Sequence, residues 1–315
     1  RAGGLTTIPT TQPAQPRTPR RSPRDQLSDE AYSELARELR ARYARPSDDW
    51  PRPDLDPGVE HRELGRMPPP VFPADNPFTR EKADLGLRLF FERRLSGSGQ
   101  IACASCHDPE LGWSDGRAVS YGHDRQILKR NAPTIVNTAY ATSWFWDGRA
   151  ASLEEQSMAV IANPDEMRGD TVVIFKTLGA DPVYASLFTE VFGTSEVTLE
   201  RIAQALATYE RTVTTEGHAP FDRFLGGDID ALPDAAVRGL HLFRTTARCL
   251  NCHNGPNLTD NQFHNLGLTY YGRELEDLGR YNVTRNPDDV GRFRTPSLRN
   301  ISRTSPYMYN GLFDL

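Results

Sequence analysis

At 315 residues, with 37% apolar and 9% aromatic side chains, the chain is long enough for two globular units. The absence of any apolar run of eighteen residues excludes a membrane-spanning helix. Five of the 37 basic residues fall within residues 1–24, which hold no acid, leaving 32 basic against 42 acidic residues beyond them, a balance that speaks against a nucleic-acid partner.

Residues 1–25 are rich in Pro, Thr and Arg and poor in apolar residues, which predicts a disordered tail. From Ser28 to Arg45, Tyr32, Leu35, Leu39 and Tyr43 recur at helical spacing, with Asp29 and Glu30 at the start and Pro46 at the end. Residues 46–77 are proline-rich, Pro68-Pro69-Pro70 included, and read as an extended strap laid over the body. Helix and strap together make an appended segment, residues 26–73. Gly86-Leu87-Arg88-Leu89-Phe90 then closes a helical pattern that Gly239-Leu240-His241-Leu242-Phe243 repeats. Each copy precedes a Cys-x-x-Cys-His pentapeptide, and each pentapeptide is followed by a hydroxyl residue and an aspartate, Ser114-Asp115 and Thr259-Asp260. Two related units follow, residues 74–197 and 198–315. In the second, Leu199, Ile202, Leu206, Tyr209 and Val213 form an amphipathic helix with Thr198 as its N-cap. Strand-like alternation is scarce, so a mostly α fold is expected.

The pentapeptides are Cys103-Ala104-Ser105-Cys106-His107 and Cys249-Leu250-Asn251-Cys252-His253, and they use every cysteine in the chain. Two thiols three residues apart on one turn can add to the two vinyl groups of one porphyrin, and the adjacent histidine then reaches the iron. A four-thiolate zinc site is the alternative, but it leaves both histidines unexplained. Two covalently bound haems c are therefore expected, in two cytochrome-c-like haem domains with an extended N-terminal segment. Haem c is assembled outside the bacterial cytoplasm, so the cofactor implies a periplasmic protein. The string opens at Arg1 without methionine or an apolar leader and reads as a mature or trimmed product.

Over residues 74–315 the sequence resembles the bacterial diheme cytochrome c peroxidases and their relative MauG. The matching phrases are Leu95-Ser96-Gly97, Arg130-Asn131-Ala132-Pro133-Thr134, Phe145-Trp146-Asp147-Gly148-Arg149, Leu153-Glu154-Glu155-Gln156, Asn163-Pro164-Asp165-Glu166-Met167 and Phe293-Arg294-Thr295-Pro296-Ser297-Leu298-Arg299-Asn300. The resemblance implies that the His107 haem is the reaction centre and the His253 haem an electron relay. Glu166 matches the distal glutamate that shuttles a proton between peroxide oxygens, and Gln156 the distal glutamine that orients peroxide or water. Taken alone, Glu166 reads as a surface acid and Gln156 as a solvated helix residue. Trp146 matches the tryptophan between the haems. Trp144 fits a core aromatic better, and Trp113 a residue packed on the first haem. His123, sixteen residues after His107, matches a histidine that caps the reaction-centre iron in the resting oxidised peroxidases and swings away on reduction, with Gly112, Gly116 and Gly122 giving the segment freedom. His61, His218, His241 and His264 read as structural, with His264, eleven residues past His253, also placed to line the second haem. The family also carries an interdomain calcium ion, whose matching positions are Asn131, Thr304 and Pro306. Arg294 and Arg299 are candidates for pairing with haem propionates.

Two departures stand out. Tyr309 occupies a position where the family has histidine, and the distal ligand of the relay haem, methionine in the peroxidases and tyrosine in MauG, is expected beyond Leu315. By this reading the second unit is incomplete at its C-terminus. The leading function is a peroxidase that reduces hydrogen peroxide to water with electrons from a small c-type cytochrome or cupredoxin. A MauG-like oxidation of Trp or Tyr side chains on a partner protein comes second, and a diheme electron carrier third. A homodimer is compatible with all three.

Overall fold

The computed structural model describes residues 28–215 and 217–314; the tail assigned to residues 1–25 lies outside them. Nine helices appear among the described residues: α1 (Asp29–Tyr43), α2 (Arg80–Phe90), α3 (Leu153–Ala162), α4 (Thr171–Gly179), α5 (Pro182–Phe192), α6 (Leu199–Thr212), α7 (Pro220–Leu225), α8 (Asp234–Arg244) and α9 (Tyr281–Thr284). Two three-residue strands, β1 (Phe263–Asn265) and β2 (Arg292–Arg294), pair antiparallel with Phe263 opposite Arg294. The fold is mostly helical, as the scarcity of alternating sequence predicts. The loops between helices are long and turn repeatedly through short 3-10 segments.

Local chemistry sets the helix ends. Ser28 accepts a hydrogen bond from the Ala31 N–H at 3.2 Å, and Thr198 accepts one from Arg201 at 3.2 Å. Asp29 and Glu30 in the first turn of α1 and Arg40 and Arg42 in its last complement the helix dipole.

Two clusters of buried apolar residues organise the chain. The first joins Leu85, Leu89 and Phe90 of α2 to Ile174, Leu178, Phe188, Ile202 and Leu206. Gly86 lets α2 and α6 touch, because a Cβ there would lie 2.0 Å from the Ala205 carbonyl oxygen. Helix α6, assigned from its place in the sequence to the second unit, thus shares its buried face with the first. Its apolar stripe of Ile202, Ala205 and Leu206 is spent on α2 and α3.

The second cluster draws in the helix and strap of residues 26–73. Leu39 and Tyr43 of α1, with Trp50 and Leu64 of the strap, pack among Phe224, Val237, Leu240 and Leu250. Arg244 on α8 is 1% exposed and pairs with Glu63, donates to the Pro51 carbonyl at 2.5 Å, and lies 5.2 Å from the Trp50 ring. A buried guanidinium left without its anion is strongly destabilising, so Glu63 ties the strap into the core. The N-terminal segment packs against α7, α8 and the second Cys-x-x-Cys-His turn.

Candidate haem sites

The two Cys-x-x-Cys-His motifs fold alike. Cys103–Ser105 and Cys249–Asn251 each form one 3-10 turn, and the His107 and His253 N–H groups donate to the first cysteine's carbonyl at 3.0 and 2.9 Å. His107 donates Nδ1–H to the Trp113 carbonyl at 3.1 Å, and His253 does the same to Leu258 at 3.0 Å. Since a carbonyl only accepts, each imidazole is protonated at Nδ1 and holds its free lone pair on Nε2. The accepting residues immediately precede Ser114-Asp115 and Thr259-Asp260. Both are non-glycine residues in the left-handed region, Trp113 at φ 64° and Leu258 at φ 52°. Burial lowers the pKa of both histidines, which keeps them neutral as iron ligation requires. Among the opposing influences are the Pro133 carbonyl at His107 and the Pro296 carbonyl at His253. The internal repeat therefore extends to Ala132-Pro133-Thr134 and Thr295-Pro296-Ser297, a signal present in the sequence once the two phrases are aligned.

A cavity of about 440 Å³ opens at the second motif, lined by Cys249, Cys252, His253, Arg294 and Trp146, within the size range of ligand sites. Arg294 has a buried Nε with no partner, and burial pulls its pKa down to about 10. A guanidinium with no anion partner and a free Nε, its Nη1 only 3.5 Å from the Thr295 carbonyl, beside two cysteines and a neutral histidine suits the propionate and thioether ends of a haem c. Arg299, the other propionate candidate, is committed elsewhere. It bonds Asp222 at 2.5 Å and the Gly65 carbonyl at 2.9 Å, joining strap to α7. His264 lines the cavity and bonds Asp260 at 2.7 Å.

Trp146 and the three calcium candidates meet in the same cavity wall. The Trp146 indole donates to the Asn131 carbonyl at 3.0 Å, two residues before Pro133 at His107. Asn131 is buried and donates its amide to the Arg117 carbonyl at 2.7 Å, leaving Oδ1 for another partner. Thr304 and Pro306 line the cavity beside it. Tyr309 is stacked on Phe293 at 3.7 Å between centroids, and its hydroxyl donates to the Leu268 carbonyl at 2.6 Å.

His123 and Glu166 come together. The His123 N–H donates to the Glu166 carbonyl at 2.8 Å, and the His123 side chain is 11% exposed with Nδ1 buried and unpartnered. Gly122 is not in the left-handed region; it is required because a Cβ would lie 1.8 Å from the Asp165 carbonyl oxygen. Left-handed backbone falls instead on Asp124 and Arg125, φ 52° and 60°. Burial raises the pKa of Glu166, opposed by Arg149, whose guanidinium lies 3.9 Å away and 3.4 Å over the Phe145 ring. Burial pushes the Cys106 thiol up to about 11, with Asp115 and Glu166 adding to the effect, which puts the Glu166 carboxylate near the first motif. Gln156 is half-buried on α3 and does not line the cavity.

Sequence reasoning passed over Glu210. It is 5% exposed on α6, burial raises its pKa to about 8, and its charge is felt at Cys103. Nothing in the local sequence marks it, since its burial comes from helix packing.

The family model described as di-haem cytochrome c peroxidase matches residues 80–230. The cytochrome-c peroxidase IdrP1 of Pseudomonas sp. (strain SCT) is 39% identical over 281 residues, covering 80% of this chain and 74% of its own. The methylamine utilization protein MauG of Methylorubrum extorquens is 43% identical over 242 residues, covering 76% and 67%. The crystal structure of a MauG-like protein associated with microbial copper homeostasis matches with a TM-score of 0.73 at 34% identity, covering 78% and 77%. These likenesses agree with the paired motifs and the helical fold: the chain belongs to the diheme cytochrome c peroxidase and MauG family of oxidoreductases.

Proposed function

We propose that the protein is a diheme c-type peroxidase that reduces hydrogen peroxide to two waters, taking up two electrons and two protons. The observation that carries the assignment of roles is the half-buried Glu166, its proton affinity raised by burial, lying near Cys106 and tied through its backbone to His123. Cys103, Cys106 and His107 would hold a haem, which would supply the redox chemistry for cleaving an O–O bond. The chain's own residues supply proton handling. As the bond breaks, one oxygen must lose a proton and the other gain one, and a carboxyl with raised pKa is suited to both halves. Arg149 keeps the ionised form accessible, and Gln156 is assigned the orienting amide.

Cys249, Cys252 and His253 would hold the second haem, which would supply the electrons, with Trp146 placed to mediate and Arg294 to pair with a propionate. His123 is the resting cap, and the left-handed backbone at Asp124 and Arg125 fits a segment held under strain until released. Calcium at Asn131 Oδ1 with the Thr304 and Pro306 carbonyls would join the two units. We divide the chain into a peroxidatic unit, residues 74–197 joined by α6, and an electron-transfer unit, the rest of residues 198–315, with α1 and the strap packed on the second. The donor is a small periplasmic cytochrome or cupredoxin. Among the described residues no helix is long and apolar enough to cross a membrane.

Glu166→Gln tests the proposal: both haem spectra should persist while the peroxide reaction slows by about two to four orders of magnitude. Unchanged turnover removes Glu166 from the mechanism.

The 43% identity to a MauG supports a second reading, oxidation of a partner protein's Trp or Tyr side chains. The resting diferric protein separates the two. A low-spin first haem, sluggish with peroxide until one electron is added and freed by His123→Gly, supports the peroxidase. A high-spin first haem that reacts rapidly without reduction favours the MauG-like activity.

A further inference from the structure

The two haem motifs differ between their cysteines, Ala104-Ser105 in the first and Leu250-Asn251 in the second. In the first, the turn caps itself: Ser105 Oγ accepts from the Ala102 N–H at 3.0 Å. In the second, Asn251 bonds its own turn, donating Nδ2–H to the Arg248 carbonyl at 3.0 Å, and also reaches out to the strap. Its Oδ1 accepts from the Asp56 N–H at 2.6 Å, and its Nδ2 donates to the Asp54 carbonyl at 3.2 Å. Leu250 is fully buried among Leu39, Tyr43, Trp50 and Leu64 of the N-terminal segment, whereas Ala104 is only half-buried.

The surrounding chain repeats this grip. Arg248 pairs with Asp56, the Asp54 N–H donates to the Arg244 carbonyl at 2.9 Å, and the Gly255 N–H donates to the Arg62 carbonyl at 2.8 Å. Strap residues 54–62 thus hold the chain on both sides of the cysteine pair. A segment serving only as a linker needs none of these bonds, and an Asn side chain whose oxygen and amide both bond another segment's backbone, while the amide also holds its own turn, is a specific fastening.

We propose that the strap is a built-in cover for the cysteine end of the second haem site, with Leu250 and Asn251 as its receptor. It holds the turn that carries His253 and closes that edge to solvent and redox partners, so electrons enter the second haem elsewhere. The proposal requires a haem at the second motif but not the peroxide chemistry of the first, and it is read without peroxide.

The test compares the wild-type holoprotein with Asn251→Ser, which gives the second motif the first motif's residue, and Asp56→Ala, which lies outside the motif. Both haems should stay attached. Amide exchange across residues 54–62 and 249–259 should quicken about tenfold, the loss expected from removing one or two hydrogen bonds to a local opening. Oxidation of the reduced second haem by ferricyanide, followed in its own absorption band, should quicken alongside, with the first haem's spectrum unchanged. If Asn251→Ser fails to load haem, Asp56→Ala decides. An unchanged ferricyanide rate in the loaded variants overturns the cover whatever the exchange does, and so does exchange that quickens evenly over the whole chain.

Discussion

The surroundings of His107 and His253 differ more than their shared pentapeptides suggest. Near the first lie a half-buried carboxylate, a histidine with a buried unpartnered nitrogen, and two consecutive non-glycine residues in left-handed backbone. Near the second lie a buried Arg244–Glu63 pair, a strap bonded to the haem turn, and an apolar cluster drawn from four separate stretches of chain. A centre that admits a substrate and moves protons tolerates unpaired polar groups and strain. The second region also holds a buried unpartnered nitrogen, Arg294 Nε, and left-handed backbone at Leu258, so what sets it apart is the strap and the buried ion pair that brace it.

The sharpest way to break this comparison is to loosen the second region and ask whether the first feels it. Trp50 donates its indole N–H to the Tyr43 and Arg45 carbonyls at 3.1 and 2.9 Å and meets the Tyr43 ring edge-on at 5.2 Å. Trp50→Ala should cost about 3–5 kcal/mol, the usual range for deleting a buried tryptophan. On heating, the second haem's absorption should be lost well before the first's. Simultaneous loss of both would mean the two clusters unfold as one unit.

A pH experiment addresses the first region. Glu210 has its pKa raised to about 8 from 4.5, by burial first and the Glu154 charge further down, against the pull of Arg211. Between pH 4.5 and pH 8 the folded state therefore holds a proton that the unfolded chain has released, so stability falls as pH rises through that window. The slope is about 1.4 kcal/mol for each pH unit. Glu210→Gln keeps a neutral group and abolishes this term, so the variant's melting temperature should gain on the wild type from pH 5 to pH 8 and then run parallel. A constant difference across that range would show that Glu210 is not held protonated.

These two tests also mark what the residues disclosed and what they withheld. The haem motifs were legible because covalent attachment demands fixed local spacing, and α1 and α6 because their apolar stripes keep a helical period. The resemblance to the family supplied Trp146, Asn131, Thr304 and Pro306 as a set, which the structure gathers around one cavity. The strap's fastening was not legible, since five of its bonds to residues 244–255 use backbone groups of the strap, which the side-chain pattern does not mark. Nor was the destination of α6, because an amphipathic stripe announces that it will be buried without saying against what. Arg299 and Arg294 looked equivalent as sequence; only the geometry commits one to Asp222 and leaves the other's Nε unpaired.

The smallest effect tests the internal repeat itself. Gly86 and Gly239 occupy the same place in the two copies, but a Cβ on Gly86 would strike the Ala205 carbonyl at 2.0 Å whereas one on Gly239 meets nothing within 4 Å. Gly239 is exposed inside α8, where glycine is a poorer helix former than alanine by about 0.5–1 kcal/mol. Gly239→Ala should therefore raise the stability of the second unit by about that amount, visible as a small upward shift in the second haem's melt. Gly86→Ala gains the same propensity but must push α2 off α6, and overpacking of this kind costs about 1–3 kcal/mol or more. The first haem's melt should fall. If both substitutions moved their haems in the same direction, the close α2–α6 approach would not set the first unit apart, and the two copies would be packed alike after all.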